Sequence, residues 1–180
     1  MDICVVSGSK GGTGKTTFSF ILAHILKYIF NNDNTYIVNL SKIPYKIKTN
    51  IKTTYDIADS GIAILDFPAF RLDDRDMFSY YIRCKYIVFV ADEDPHTLES
   101  ARSYLKLVNA RKLGIIINMI INKSSVYYLL SYRRFSNIYL VPFDEQLRIY
   151  RADGVDPIKI RSPAVVRMIK AAVDIAKKIK

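Results

Sequence analysis

The chain has 180 residues, half of them hydrophobic and 24% charged, which fits one globular domain and argues against a disordered chain. Lys and Arg (27) outnumber Asp and Glu (17), so the formal net charge is +10 and anionic partners are favoured. Two cysteines, Cys4 and Cys84, are too few for a disulfide framework or a four-cysteine zinc site, and we expect both to be reduced thiols.

Apolar runs alternate with segments of helical spacing along the chain, which is typical of an α/β protein. The predicted strands lie at 2–7, 36–40, 62–66, 86–90, 113–117 and 137–141, and the predicted helices at 18–29, 96–108 and 165–179. Continuously apolar strands favour a parallel sheet that is covered on both faces. We therefore expect residues 1–180 to form one doubly wound, mostly parallel α/β domain, with its ligand at the carboxyl ends of the strands. No run reaches the ~18 apolar residues of a membrane span, and no signal peptide is apparent.

The loop between the first predicted strand and helix contains four of the seven glycines, at positions 8–14. Backbone N–H groups of such a loop, together with a helix N-terminus, bind phosphate. In this pattern Lys15 reaches the β- and γ-phosphates and the Thr16 hydroxyl ligates Mg²⁺. The predicted nucleotide-binding residues of the loop are Gly11, Gly12, Thr13, Gly14, Lys15, Thr16 and Thr17.

A second lysine, Lys10, stands at the start of the loop, and the string KGGTGKTT resembles the deviant Walker motif of the ParA/MinD group of ATPases. In that family the early lysine reaches across a dimer interface to the nucleotide of the other subunit. The resemblance therefore implies a homodimer that forms on ATP binding, with Lys10 and Lys15 as catalytic residues. A cation supplied by the second subunit suits phosphoryl transfer, because it stabilises negative charge that spreads in the transition state.

Later segments resemble the same family in the same order. The string ILDFP at 64–68 is similar to the family's strand that ends in Asp-x-Pro, which implies a catalytic Asp66 that holds Mg²⁺ through water. Asn118 resembles the residue that faces adenine. Pro142 and Phe143 fall in a segment that resembles the family's Val-Pro-x-Asp stretch, which lines the base and the ribose.

The second predicted strand departs from the family. Asn39 and Ser41 stand where relatives usually carry two aspartates, one orienting the attacking water and one supporting the Mg²⁺ site. An amide positions water but cannot accept its proton. We therefore expect slow ATP hydrolysis, or a nucleotide that acts mainly as a dimer clamp. Asp56 or Asp59 could substitute, although no spacing requires it.

Basic residues are concentrated in the second half of the chain. Residues 100–143 contain seven basic residues and no acidic one, and residues 148–180 contain nine basic and three acidic residues. Such clusters are typical of proteins that bind the phosphate backbone, although a solubilising surface is the alternative. ParA-like proteins commonly place their ATP-bound dimers on non-specific DNA. The residues predicted to contact DNA are Arg133, Arg134, Arg161, Arg167 and Lys170.

These features predict a ParA-like switch that binds Mg-ATP and non-specific DNA in partition of a plasmid, chromosome or viral replicon. A small ParB-like stimulator with a basic tail and a cytoplasmic, nucleoid-associated location are implied by the resemblance. A MinD-like ATPase on a membrane surface is an alternative, although the closing helix is expected to pack on the sheet instead. A nucleotide-binding regulator without hydrolysis is another alternative, which Asn39 and Ser41 keep open. A metabolic P-loop ligase is a further one, for which no substrate-binding constellation is visible.

Overall fold

A seven-stranded parallel sheet forms the middle layer of the computed structural model, which describes residues 1–122 and 125–179. The strands are β1 Asp2–Val6, β2 Thr35–Asn39, β3 Lys52–Thr54, β4 Ile62–Asp66, β5 Tyr86–Ala91, β6 Arg111–Ile120 and β7 Ile138–Pro142. Their order in the sheet is β3-β2-β4-β1-β5-β6-β7. The strand order reverses beside β1, so the loop that follows β1 lies at the crevice where open α/β sheets bind ligands.

Helices cover both faces of this sheet. They are α1 Lys15–His24, which continues as a π-helix over Ile25–Ile29, α2 Arg75–Ile82, α3 Pro95–Leu107, α4 Val126–Arg133, α5 Glu145–Ala152, a 3₁₀ helix at Pro157–Lys159 and α6 Pro163–Lys177. Alternate β1 residues enter two hydrophobic clusters, Ile3 and Val5 on the side of α1 and α6, Cys4 and Val6 on the side of α3. The predicted doubly wound α/β class is therefore confirmed, with every strand pair of the described residues parallel.

All six predicted strands are present, with small differences at their ends, whereas β3, α2, α4 and α5 were not predicted. β3 is a short, largely exposed strand whose residues Lys52 and Thr53 carry no apolar pattern, and it exists because it pairs with β2. Helices α2 and α5 are eight residues each and begin at capping aspartates, Asp74 and Asp144. Such short helices lack a long apolar stripe, and the cap alone is a weak sequence signal.

Cys4 and Cys84 form a disulfide, so the expectation of two reduced thiols is wrong. Their Cα atoms are 6.1 Å apart although 80 residues separate them in the chain. Cys84 lies two residues before the start of β5, and the register that places Ile3 opposite Tyr86 brings the two cysteines together. Composition alone does not reveal this pairing, because it depends on which strand lies beside β1.

Helix α6 packs on the sheet as expected. Its residues Val165, Met168, Ala172 and Ile175 are buried in the cluster that contains α1. The apolar side of α6 is thus covered by protein rather than presented to a lipid surface. Within residues 1–122 and 125–179, no helix combines the length and the apolar character that crossing a bilayer requires.

No function was predicted for His24 from the sequence. In the structure its side chain is buried against Asp156. Its Nε2 lies 2.8 Å from Asp156 Oδ2, and both side chains are almost fully buried. Asp156 also accepts a hydrogen bond from the backbone N–H of Ile158 at the start of the 3₁₀ helix. The pair therefore ties α1 to the segment that leads into α6.

Candidate functional site

The loop between β1 and α1 depends on glycine for its shape. Gly8, Gly12 and Gly14 have positive φ values of 73°, 74° and 99°. At Gly14, immediately before α1, an added Cβ would also collide with the side-chain amide of Asn118. Glycine is therefore required there, because only glycine combines this backbone conformation with so close a neighbour. The loop and the start of α1 together present backbone N–H groups suited to an anion.

Lys15 is a buried cation whose hydrogen-bond partner is a hydroxyl group. Its Nζ donates to Ser7 Oγ at 2.7 Å, and Ser7 Oγ donates to the carbonyl of Lys10 at 2.7 Å. Burial lowers the pKa of Lys15, whereas the negative charge of Asp66 acts in the opposite direction. No carboxylate in the described part of the chain lies within ion-pair distance of Lys15. A phosphate group would supply the missing counter-charge, since buried charges are normally paired.

Asp66 ends β4 and is surrounded by hydroxyl donors. Thr16 Oγ1 and Tyr45 Oη each donate to Asp66 Oδ2 at 2.7 Å, and Ser19 Oγ donates to Oδ1 at 3.2 Å. Burial raises the pKa of Asp66, and the hydrogen bonds from these hydroxyls act to lower it. Thr16 and Asp66, the two predicted Mg²⁺-binding residues, are thus in direct contact.

Tyr45 is a residue of this site that the sequence analysis missed. It lies in the irregular segment 41–51, and its ring packs edge-on against Phe20 with the ring centroids 5.1 Å apart. Burial, and then the charge of Asp66, raise the pKa of Tyr45 far above its usual value. Its only sequence signal was its place in the loop that follows the carboxyl end of β2, at the edge where α/β proteins bind ligands.

We expect Tyr45→Phe to lower the free energy of unfolding by about 1–3 kcal/mol, because it removes a hydroxyl that hydrogen-bonds a buried carboxyl group. Urea denaturation of the nucleotide-free protein measures this change. Tyr55→Phe is the matched control, since Tyr55 lies in the same part of the chain and is 49% exposed. Equal stabilities for the two variants would contradict the role of the Tyr45 hydroxyl at Asp66.

A cavity of about 650 Å³ opens beside the loop. Asn118, Pro142 and Phe143 line it together with residues 12–17, so the structure brings the three predicted base-contacting residues to the glycine-rich loop. The Asn118 Nδ2 donates to the carbonyl of Thr13 at 2.8 Å. The volume is in the range of small-molecule sites, which is roughly 300–1,000 Å³.

The residues of this cavity fit a magnesium nucleotide. The buried Thr13 Oγ1 has no hydrogen-bond partner within the described residues, whereas buried hydroxyls normally have one. An anion with several oxygens would satisfy both this hydroxyl and the buried Lys15. Thr16 and Asp66 offer the oxygen atoms that Mg²⁺ prefers.

Lys10 is held by carboxylates of its own chain. Its Nζ lies 2.6 Å from Asp92 Oδ2 and 2.9 Å from Asp94 Oδ2. The hydrogen bond to Asp92 is the main reason that the pKa of Lys10 lies above its usual value, and the hydrogen bond from Lys10 lowers the pKa of Asp94. Asp94 also caps α3 by accepting a hydrogen bond from the backbone N–H of His96 at 2.8 Å.

Asn39 and Ser41 are used within the turn that follows β2. The Ser41 hydroxyl donates to Asn39 Oδ1 at 2.6 Å, and Asn39 Nδ2 donates to the carbonyl of Ile43 at 2.6 Å. Asn39 is buried and lies beside Asp66 in the register of β2 and β4. Its amide therefore already has partners in the protein. Asp56 and Asp59, the possible substitutes, are exposed.

The five residues predicted to bind DNA are all exposed, and they lie in or next to two helices on opposite faces of the sheet. Arg133 and Arg134 lie at the end of α4, whose neighbours belong to the cluster on the α3 side. Arg161 precedes α6, and Arg167 and Lys170 lie on α6, on the opposite face of the sheet. A further residue of the basic cluster, Lys123, lies outside the described residues.

No protein-family model matches the sequence, and no curated protein matches it. Solved structures do match over nearly the whole chain. The cell division ATPase MinD of Pyrococcus furiosus has a TM-score of 0.73 at 17% identity, with 99% of each chain covered.

Two further structures match to a similar degree. An ATP complex of McdA from Cyanothece has a TM-score of 0.73 at 13% identity, covering 100% of this chain and 97% of McdA. A protein from Borrelia burgdorferi provisionally described as a plasmid partition protein, bound to AMPPNP, has a TM-score of 0.68 at 13% identity, with 99% of each chain covered. The chain therefore has the fold of the MinD, McdA and ParA-type ATPases, and the resemblance stated from its sequence is confirmed at the level of the fold.

Proposed function

We propose that the chain is a ParA-like nucleotide switch that binds Mg-ATP in the cavity beside the loop 8–17. The observation that carries this proposal is that a buried cation and a pair of oxygen-bearing side chains lie next to each other at one edge of the sheet. A buried Lys15 lacks a carboxylate partner among the described residues, and the Thr16–Asp66 pair offers oxygen atoms to a metal beside it. Known structures of this fold that contain ATP or AMPPNP support the choice of nucleotide.

The residues of the site have separate tasks in this proposal. Lys15 compensates the charge of the terminal phosphates, and backbone N–H groups of the loop hold the remaining oxygens. Mg²⁺, when bound, neutralises phosphate charge, and Thr16 and Asp66 are the residues that would hold it. Asn118, Pro142 and Phe143 surround the base and ribose end of the cavity.

The output of ATP binding in this proposal is a homodimer. Lys10 provides a cation at the mouth of the loop that a second copy of the chain can use, and phosphoryl-transfer sites commonly gain a cation from a partner. In the single chain Lys10 is instead held by Asp92 and Asp94. Dimer formation therefore requires Lys10 to exchange these two carboxylates for the phosphates bound by the other copy.

Light scattering with nucleotide tests the proposal. With Mg-ADP we expect the mass of one chain, and with Mg-AMPPNP, which is not hydrolysed, the mass of two. Lys15→Gln is the control, because it removes the buried cation and is expected to abolish nucleotide binding. A wild-type chain that binds neither nucleotide would disprove the nucleotide site, and one that binds both as a monomer would disprove the dimer switch.

The dimer is further proposed to bind non-specific DNA and to serve in partition of a replicon with a small, basic-tailed partner. The support is the net charge of +10, the exposed Arg161 just before α6 and the exposed Arg167 and Lys170 on α6. For binding to the DNA backbone, the logarithm of the binding constant falls linearly with the logarithm of the salt concentration. DNA retardation with Mg-AMPPNP at rising salt, against sedimentation with anionic vesicles, separates DNA binding from a MinD-like membrane role.

A further inference from the structure

Two arginines, Arg148 and Arg151, line the candidate nucleotide cavity besides Lys15, and the proposed function does not use the less exposed of the two, Arg151. It lies near the C-terminal end of α5, is half-buried and lines the cavity together with the phosphate loop. Its guanidinium donates to the Thr17 hydroxyl. Thr17 follows the proposed metal ligand Thr16 in the first turn of α1. Arg151 of α5, which is 134 residues away in the chain, therefore contacts the start of α1 next to this ligand.

Among the residues that the structure describes, the guanidinium of Arg151 has no anionic partner. No carboxylate in residues 1–122 and 125–179 lies within 4.0 Å of it, and the Thr17 hydroxyl is its one hydrogen-bond acceptor in that part of the chain. Burial lowers the pKa of Arg151, and the more distant charge of Asp66 acts in the opposite direction. Arginine has five N–H donors, and a partly buried one is normally paired with an anion.

Lys10 and Arg151 differ in their ion pairs within the described residues. Lys10 is more exposed, with 37% of its side chain accessible, and yet it has two carboxylate partners. Arg151 is less exposed and has none within the described residues. This arrangement is stable when a bound anion completes the pairing, and the guanidinium is the side chain best shaped to hold two phosphate oxygens at once.

We propose that Arg151 is a phosphate-binding residue supplied by the same chain, and that it contacts the phosphates that ATP and ADP share. This rests on the proposed function, because it assumes a nucleotide in the cavity. The guanidinium of Arg151 donates to Thr17, and within the described residues it forms no ion pair with Asp66, although the charge of Asp66 acts on it. Arg151 therefore strengthens binding of both nucleotides, and discrimination of ATP from ADP is left to Lys10 and the metal site.

Titration calorimetry with Mg-ADP and Mg-AMPPNP tests this inference on Arg151→Gln. We expect affinity for both nucleotides to fall by about 10- to 100-fold, the range for a hydrogen bond to a charged group. Arg151→Lys, which keeps the charge but not the two-pronged geometry, is expected to lie between wild type and Arg151→Gln. Arg111→Gln is the matched control, since Arg111 is exposed at the opposite end of the sheet.

Thermal unfolding without nucleotide provides a second readout. Removing an unpaired, partly buried cation is expected to leave the midpoint of the nucleotide-free Arg151→Gln protein unchanged or higher, while the stabilisation by nucleotide becomes smaller. A lower midpoint with unchanged affinity would show that Arg151 only braces Thr17, and would overturn the inference. A loss of affinity for AMPPNP alone, with unchanged affinity for ADP, would also overturn the inference. If wild type binds neither nucleotide, the proposed function fails and this inference with it; if wild type and Arg151→Gln bind equally, only this inference fails.

Discussion

Asn39→Asp is expected to raise the rate of ATP hydrolysis by about 10²- to 10⁴-fold, the usual contribution of a positioned general base. Position 39 lies beside Asp66 in the register of β2 and β4, so a carboxylate there stands next to the proposed metal and phosphate site. The wild-type amide cannot accept a proton from water, and its oxygen and nitrogen are already bonded to Ser41 and Ile43. An aspartate would lose the hydrogen bond to the Ile43 carbonyl and would be free to face the site.

Phosphate release with saturating Mg-ATP measures this effect. Asn39→Ala is the control, because it also loses the hydrogen bond to the Ile43 carbonyl but adds no carboxylate, and its rate is expected to remain at the wild-type level. Both variants are expected to lose about 1–3 kcal/mol of stability from the broken turn contacts, which denaturation reports separately. A wild-type rate equal to that of Asn39→Asp would show that another group, or no carboxylate at all, activates the water.

Lys10→Gln is expected to abolish ATP-dependent dimerisation while leaving nucleotide binding by the monomer nearly unchanged. The change keeps a polar side chain, shorter by one atom, and removes the charge that the second copy is proposed to use. Light scattering with Mg-AMPPNP would then give the mass of one chain at concentrations where wild type gives two. Calorimetry on the same samples separates loss of the dimer from loss of the nucleotide.

Replacing the two carboxylates that pair with Lys10 is expected to have the opposite effect, a tighter dimer. Asp92→Asn with Asp94→Asn removes the competing ion pairs, and the dimer is expected to form about two- to fivefold more tightly, in keeping with the small energies of solvent-accessible pairs. Combining these changes with Lys10→Gln should remove the gain, since the gain depends on a free Lys10. A dimer of Lys10→Gln as tight as that of wild type would rule out a role for this lysine between subunits.

Much of the candidate site was predictable because it is contiguous in the chain. The loop 8–17, with its glycines, Lys15 and Thr16, joins a strand to a helix within a few residues, so its chemistry is readable without a fold. Asp66 and Asn118 were predicted from the resemblance to the ParA/MinD group, and the strands that carry them were predicted from their apolar pattern. Where that pattern was missing, as in β3 at 52–54, the element was missed.

The residues that surround this loop could not be predicted in the same way. Tyr45 reaches Asp66 across 21 residues of chain, Lys10 reaches Asp94 across 84, and Arg151 reaches Thr17 across 134. Nothing in the local sequence of Arg151 or Tyr45 separates them from the other arginines and tyrosines of the chain. Their roles depend on the distances between elements that the sheet order sets.

The sequence by itself thus determined the α/β class, the glycine-rich loop between β1 and α1 and the acidic end of β4, because periodicity and short motifs are local properties of the chain. Only the tertiary structure decided that Cys4 bonds to Cys84, that Lys10 is paired within its own chain and that Arg151 lies at the cavity without a carboxylate partner in the described part of the chain. The physical reason is that ion pairs, disulfides and cavities are contacts between distant segments. Their partners are chosen by the strand order β3-β2-β4-β1-β5-β6-β7, which no single segment encodes.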